Sequence, residues 1–508
     1  MSSKKVFYHG FNDIQAANIV KNLRDLHDWE PVYMCGADDQ SIKQYLGENN
    51  IRCTLQSSMK LRQAQFDYTD LGNPAPIDSV LINKLSNFSI NYLGFMQDSS
   101  GWNYSFEERK HFYYDILKYW NTVLNKIKPD IVIFFTWPHT SSCYPLYLMC
   151  KHHFDIDVLF IDPTPLLESN AHFIGTSLES LHSPFMKFYE SKVDLLPSPI
   201  VAAYLSKIRG KQAQIPQYIK DVYTRDKKTK YKIIEGLARL IISTCVRRTP
   251  FKRDFEFKKN KEHYTNLKSR MNTLDDILFS ESLRRKNRYI SKVYNKLSVT
   301  PDYNKKYLYF AAPYQPEAGS AVNAGFFEDV FVVLDILSAT IPDDWIIYYK
   351  EHPGSFLEGF RGSLKRSEVF YKKVCSYKNI EIISSSLDTF KLIDASQAVS
   401  SIAGTVGWES VVRGKPTLSF GNGWYHGCKS VFKVNTVFDA KNALAQICDG
   451  WLPDIKDVDS YAASVELVTT KYLIHDNFHE ELEKANDPQI ELKKITDFIF
   501  NAYQKYFQ

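Results

Sequence analysis

The chain is poor in everything that marks a disulfide-stapled, membrane-spanning or metal-bound protein. Its 508 residues hold 8 cysteines, scattered without a CxxC pair or a Cys/His cluster. That argues against a disulfide framework and a zinc site of ordinary spacing, and it fits a reducing compartment. The remaining histidines show no metal-ligand spacing either, so no metal is expected. No run of about 18 apolar residues occurs, so nothing is expected to span a bilayer. The first residues, MSSKKVFYHG, lead straight into a strand-like segment and lack the apolar core of a signal peptide. A GxSxG elbow, a Walker loop and an Asp-x-Asp pair at a strand end are all missing, which disfavours serine hydrolysis and P-loop chemistry.

What is present is an ordinary soluble composition, 44% hydrophobic and 24% charged. The aromatic share of 14%, with 32 Tyr and 33 Phe, suits stacking on sugar rings. It suits an AT-rich genome as well, and that plainer origin is the better-supported one. The net charge of +5 is modest, but it is unevenly placed. Residues 220–300 carry roughly 22 Lys and Arg against roughly 9 Asp and Glu. Interleaved apolar residues, as in IIEGLARLIIS, predict helices there.

On either side of that stretch the pattern alternates strand with helix. KKVFYHG, PVYM, the continuous apolar run Ile131–Phe135 and DVLFID read as strands of a parallel sheet covered on both faces. The alternation resumes at KKYLYFAAPYQPEAGS and continues through WIIYYK, IEIIS, AVSS and TLSFG. This predicts an α/β chain. It divides into a Rossmann-like domain at 1–184, a basic helical insertion at 185–304, a second Rossmann-like domain at 305–475, and closing helices at 476–508 expected to pack back on the first domain.

The chemistry concentrates in the turns that follow the later strands, because open parallel sheets bind ligands at their carboxyl ends. Glu317, in YQPEAGS, is placed there as a nucleophile or general base, with helix capping as the plainer alternative. Tyr314 and Gln315 of the same turn are expected to touch substrate. Lys350 and His352 of KEHP can together neutralise a phosphate, and Pro353 ends the strand so that His352 points outward. Ser400, Ser401, Gly404 and Thr405 form a small, hydroxyl-rich turn into a helix, which offers free N–H groups and a positive dipole end to a phosphate. Gly407 allows close backbone approach. Glu409 makes better sense as an acceptor for ribose hydroxyls. In the first half, His139 and Glu168 follow strands and are candidates for acceptor binding or proton transfer.

YQPE, the strand ending in KEHP and the segment SSIAGTVGWES…GKP together resemble the capsule polysaccharide biosynthesis family, a group of bacterial β-Kdo transferases that use CMP-activated ulosonic acids. The resemblance covers about Lys305 to Lys429. It implies a GT-B architecture, retention of anomeric configuration, no metal, and no cofactor beyond the CMP-sugar as donor substrate. Glu317 matches the family's nucleophilic acid, where the family usually has Asp. His352 matches the histidine at the donor phosphate, and Ser400, Ser401, Gly404 and Glu409 match the CMP-binding segment. The implied reaction is a double displacement, with Glu168 as the second acid/base. The family implies Kdo as the donor sugar, and the departure at Glu317 points to a different ulosonic acid, such as a pseudaminic- or legionaminic-type sugar.

The implied acceptor is a surface glycan or a lipid-linked carrier, met at the inner face of the bacterial cytoplasmic membrane by a cytoplasmic protein. The basic stretch 221–296 is then expected to contact an anionic membrane, centred on Arg247, Arg248, Lys252, Arg253, Arg284, Arg285 and Lys286. Nucleic acid is not an expected partner, since no binding module accompanies the charge. Two other classes stay open: an inverting UDP- or GDP-sugar transferase or epimerase of similar fold, and a non-catalytic polysaccharide-binding component of an assembly complex.

Overall fold

The computed structural model describes residues 3–37, 39–62, 64–99, 106–164, 166, 171–178, 189–190, 195–210, 254–255, 269–270, 273–357, 360–470 and 487–507. The chain forms two compact units. The first takes 1–184, 254–270 and 466–508, and the second takes 185–253 and 271–465.

In chain order the first unit contributes β1 (Lys4–Phe11), β2 (Trp29–Gly36), β3 (Thr54–Ser57), β4 (Ile131–Phe134), β5 (Asp157–Thr164) and β6 (Ala171–Gly175). A small antiparallel ribbon pairs β7 (Asp254–Phe255) with β8 (Ser269–Arg270). The second unit holds β9 (Lys306–Ala311), β10 (Trp345–Lys350), β11 (Ile380–Ile383), β12 (Ala398–Ser401), β13 (Thr417–Ser419) and β14 (Phe432–Lys433). A last strand, β15 (Thr469–Thr470), rejoins the first sheet.

The first sheet has the order β15-β6-β5-β4-β1-β2-β3, parallel from β3 to β5 and antiparallel at β6 and β15. Every residue of β4 is buried, as a strand covered on both faces requires. The helix Ile14–His27 starts at Asp13, whose carboxylate accepts the Ala16 N–H at 2.8 Å. Its Ile19, Val20 and Leu23 pack with Leu492, Ile495 and Ile499 of the closing helix Pro488–Phe507. The Tyr503 hydroxyl of that helix donates to Asp157 at 2.9 Å, which fixes the helix to the start of β5.

The second sheet is fully parallel, with the order β11-β10-β9-β12-β13-β14. Counted from its first strand this is 3-2-1-4-5-6, the doubly wound dinucleotide-fold order, and the strand order reverses between β9 and β12. One face packs Leu308, Phe310, Ile347 and Leu418 on the helices Val330–Thr340 and Val437–Cys448. The other packs Tyr307, Tyr309 and Tyr348 on the helix Thr389–Ala395. Much of the aromatic content is therefore core, and here Tyr307 donates to Leu392 O at 2.7 Å and Tyr294 to Ile383 O at 2.6 Å.

Of the stretch 185–304, the described parts 189–190, 195–210 and 273–304 fall in the second unit, while β7 and β8 fall in the first. Arg413 donates to Ile208 O at the end of the helix Pro199–Arg209, and Arg209 pairs with Asp459. Asn287 of the long helix Thr273–Leu297 donates to Leu357 O and Phe360 O at 2.7 and 2.9 Å.

Candidate functional site

The turns after β9, β10 and β12 come together at the carboxyl edge of the second sheet, around the point where its strand order reverses. β9 pairs with β10 on one side and β12 on the other, so Ala311, Lys350 and Ser401 end level. The three motifs separated in sequence are thus neighbours by register alone.

A buried ion pair holds the first two turns. Glu351 is fully buried and Arg366 nearly so, with Nε to Oε2 at 2.6 Å. The same carboxylate accepts Tyr349 OH at 2.9 Å, Tyr371 OH at 3.1 Å, Ser355 Oγ at 3.1 Å and the His352 N–H at 3.0 Å. Arg366 also donates to Gln315 Oε1 at 2.9 Å and to Pro313 O at 3.1 Å. One guanidinium therefore ties the turn bearing Glu317 to the turn bearing His352. The sequence gives no sign of Arg366, which lies 15 residues beyond Glu351 in an unremarkable polar segment.

His352 is half-buried. Its Nδ1 accepts the Gly354 N–H at 3.1 Å, starting the short turn Pro353–Phe356, so in the neutral ring the proton sits on Nε2. Burial, aided by Lys350 and Arg366, holds its pKa below the ordinary histidine value, against the pull of Glu351. At neutral pH the group is a neutral N–H donor and not the imidazolium that residue type alone suggested. Pro353 is the first residue of that turn, where its missing N–H costs nothing. Tyr314 packs its ring 5.9 Å from His352, and its hydroxyl accepts the Arg361 N–H at 3.0 Å.

Glu317 is half-buried at the N-cap position of the helix Ala318–Ala324, yet makes no capping bond to it. Gln315 corrects the expectation of substrate contact: it is buried, donating to Glu328 O at 2.6 Å and accepting from Arg366. Its amide braces the turn.

The β12 turn separates its two serines. Successive strand residues face opposite sides. Ser401 caps the turn, its hydroxyl accepting the Gly404 N–H at 3.1 Å. Ser400 is fully buried between Phe310 and Leu418, and its hydroxyl has no hydrogen-bond partner among the described residues. This corrects its assignment to the nucleotide. Gly404 and Thr405 are exposed at the start of the helix Thr405–Val412, whose first N–H groups lack intrahelical acceptors. Gly407 is small for an internal reason: a Cβ there would lie 2.3 Å from the Tyr425 hydroxyl. That hydroxyl donates to Gly404 O at 2.8 Å and fixes the turn from behind.

Lys350 at the end of β10 and Glu409 in the helix after β12 feel each other's charge across the site. The Lys350 ammonium donates to Leu387 O and Thr389 Oγ1, both at 2.7 Å. Burial lowers its pKa to about 8, opposed by Asp388 and Glu409. Burial likewise raises Glu409 to about 7, opposed by a Thr405 hydrogen bond, Lys350 and Arg413.

In the first unit, His139 follows β4, stacks on Trp137 at 5.0 Å and donates Nδ1–H to Trp137 O at 2.5 Å. Burial lowers its pKa. His9, near the end of β1 and paired in register with Phe134, is a buried imidazole with neither nitrogen hydrogen-bonded to a described residue. Burial lowers it to about 3, so it is neutral. Glu168 lies outside the described residues, as do Arg247, Arg248, Lys252 and Arg253. Arg284 is 13% exposed and pairs with Glu281 at 3.0 Å, so it is not an open surface cation. Arg285 pairs with the same Glu281, and Lys286 is exposed. Among the described residues no cluster of three or more metal-type ligands occurs, and no helix is long and apolar enough to cross a membrane.

The model of a family described as capsule polysaccharide biosynthesis protein matches residues 252–428. The match covers this stretch and not the rest of the chain. The capsule-synthesis stretch runs from before β9 to beyond β13 and contains every second-unit turn described above. No curated protein matches the chain. Solved structures similar to it include a UDP-GlcNAc 2-epimerase of Methanocaldococcus jannaschii, at 13% identity over 90% of this chain and 97% of that one, with a TM-score of 0.24. Anabaena HepE, solved with UDP, matches at 9% identity over 98% and 100%, with a TM-score of 0.28. A KpsC β-Kdo 2,7 transferase of Thermosulfurimonas dismutans matches at 14% identity over 35% of this chain and 58% of that one, with a TM-score of 0.22. Likeness at this level says nothing about the reaction.

Proposed function

We propose that the chain is a glycosyltransferase of surface-polysaccharide synthesis, moving a ulosonic acid from a CMP donor to a glycan or lipid-linked acceptor with retention. The observation that carries this reading is that the capsule-synthesis stretch is also the stretch that builds the strand-order switch point, with anion-stabilising groups on one side and a carboxylate on the other. Departure of CMP puts charge on its phosphate. The helix N-terminus at Thr405 and the Nε2–H of His352 are suited to stabilise it. Lys350 contributes through its field from below. Glu317 attacks the anomeric carbon as CMP leaves, and an acid/base, Glu168 in this reading, then activates the acceptor hydroxyl. Glu409 receives ribose hydroxyls. No divalent metal is required, so activity survives EDTA.

A thermal-shift panel of CMP, CDP, UDP and GDP tests the donor. CMP is expected to stabilise the protein most, because a site that bonds cytosine leaves buried groups unpaired with uracil. Greater stabilisation by UDP defeats the reading. For the mechanism, Glu317→Gln is expected to lose nearly all transfer while keeping CMP binding, and donor alone is expected to leave a sugar adduct on the wild type only. The basic stretch 221–296 is read as a contact with anionic membrane, tested by salt-dependent co-sedimentation with anionic against neutral vesicles.

A further inference from the structure

Two helices of the second unit turn a basic face to solvent that none of the site's turns uses. On the helix Thr273–Leu297 the buried residues Leu283, Asn287, Ile290 and Tyr294 follow one another at intervals of four, three and four. That spacing makes one helical face. Arg285, Tyr289, Lys292 and Lys296 repeat at the same intervals on the opposite side, and all four are exposed. The row is about 16 Å long. Beside it the helix Glu368–Val374 buries Tyr371 and Val374 and leaves Val369, Lys372 and Lys373 exposed. The Tyr289 hydroxyl donates to Glu368, which joins the two rows.

The charge on this face is only partly met. Within 281–297 and 367–375 the carboxylates are Glu281 and Glu368. Glu281 pairs with Arg284 and Arg285, and Glu368 with Lys372 at 2.7 Å. Among the described residues Lys286, Lys292 and Lys296 have no ion pair. The Lys373 ammonium lies 3.9 Å over the Phe331 ring, which leaves its charge unneutralised. Between these cations Val369 is 75% exposed and Tyr289 54%. An aliphatic side chain gains nothing from a soluble polyanion, whereas a valine and a tyrosine set among lysines suit the interface of an anionic bilayer. The inner sides of the same helices hold the turn bearing His352. Tyr371 donates to Glu351 at 3.1 Å, and Tyr294 accepts the Glu351 N–H at 2.8 Å.

We propose that the exposed sides of these two helices dock the second unit on an anionic lipid bilayer, with the turn bearing His352 one helix layer behind the contact. This deepens the membrane reading of the stretch 221–296 and rests on it. It places the contact on Arg285, Lys292 and Lys296 and adds Val369, Lys372 and Lys373 from outside that stretch. The test is co-sedimentation of the full chain with mixed phosphatidylglycerol–phosphatidylcholine vesicles and with phosphatidylcholine alone, at low and high salt. Binding is expected only to the anionic vesicles and is expected to fall with salt. The quadruple variant Lys292→Gln, Lys296→Gln, Lys372→Gln, Lys373→Gln is expected to bind them about a hundredfold more weakly, with its urea midpoint and its stabilisation by CMP unchanged. Val369→Ser is expected to weaken vesicle binding about threefold or more while leaving binding to heparin as it was. Undiminished vesicle binding by a normally folded quadruple variant overturns this face. If binding is lost instead on replacing Arg247, Arg248, Lys252 and Arg253 by Gln, the membrane reading survives without it. Absence of salt-dependent binding to anionic vesicles overturns both. Unchanged vesicle binding by Val369→Ser assigns the face to a soluble polyanion and overturns the bilayer.

Discussion

Arg366 and Glu351 show how much of the site depends on side chains that touch no ligand. The pair is sealed from solvent, and every face of the carboxylate is occupied. Removing one partner leaves a buried charge unopposed, which costs about 3–5 kcal/mol. Arg366→Ala is therefore expected to lower the urea stability by that amount, while Arg366→Met combined with Glu351→Gln recovers much of it. Equal losses in the two variants would show that the charge is not the cause. Glu409 carries the pH dependence. Its folded pKa of about 7 lies above the ordinary carboxylate value, so the folded state holds a proton that the unfolded chain has released. The stability contributed by that protonated form is complete at low pH and is lost as pH rises from the ordinary value through about 7. Glu409→Gln removes this loss. The variant's stability relative to wild type is expected to rise between pH 5 and 8, by up to about 3 kcal/mol. A flat difference across that range contradicts the assignment.

The turn after β12 shows what one element contributes. Its helix begins at exposed residues, with Ser401 accepting the Gly404 N–H in front and Tyr425 holding Gly404 O from behind. Gly407→Ala would drive a methyl group into the Tyr425 ring. A stability loss of about 1–3 kcal/mol is expected from overpacking. The displaced helix start should also weaken stabilisation by CMP. Unchanged CMP stabilisation in a measurably destabilised variant would separate this turn from the phosphate. Period-2 alternation settles the neighbouring serines in the same way: two adjacent hydroxyls on one strand cannot both serve one turn.

At the scale of the whole chain, the closing helix Pro488–Phe507 completes the core of the first unit, burying Leu492, Ile495, Ile499 and Tyr503. Each large apolar side chain contributes about 1.5–3 kcal/mol on burial. Deleting residues 487–508 is expected to unfold the first unit and leave the second folded, seen in calorimetry as loss of one transition. A truncated chain that retains both contradicts this. The α/β class and the strands β1, β2, β4, β5 and β9 to β13 were legible in the sequence, because strands buried on both faces must be apolar throughout. The short β3 and the antiparallel β6 and β15 were not, since pairing and not apolar pattern holds them in the sheet. The capsule-family motifs were legible for a related reason, being local runs in which a strand end, a turn and a helix start are contiguous. The sequence by itself therefore determined the fold class, the family stretch and which turns lie at strand ends. Only the tertiary structure decided that Arg366 joins two of those turns, that Ser400 and Gln315 face inward, that His352 is a neutral donor and that Tyr425 explains Gly407. Such facts depend on which distant residues meet and how much water they exclude, and no local pattern encodes either.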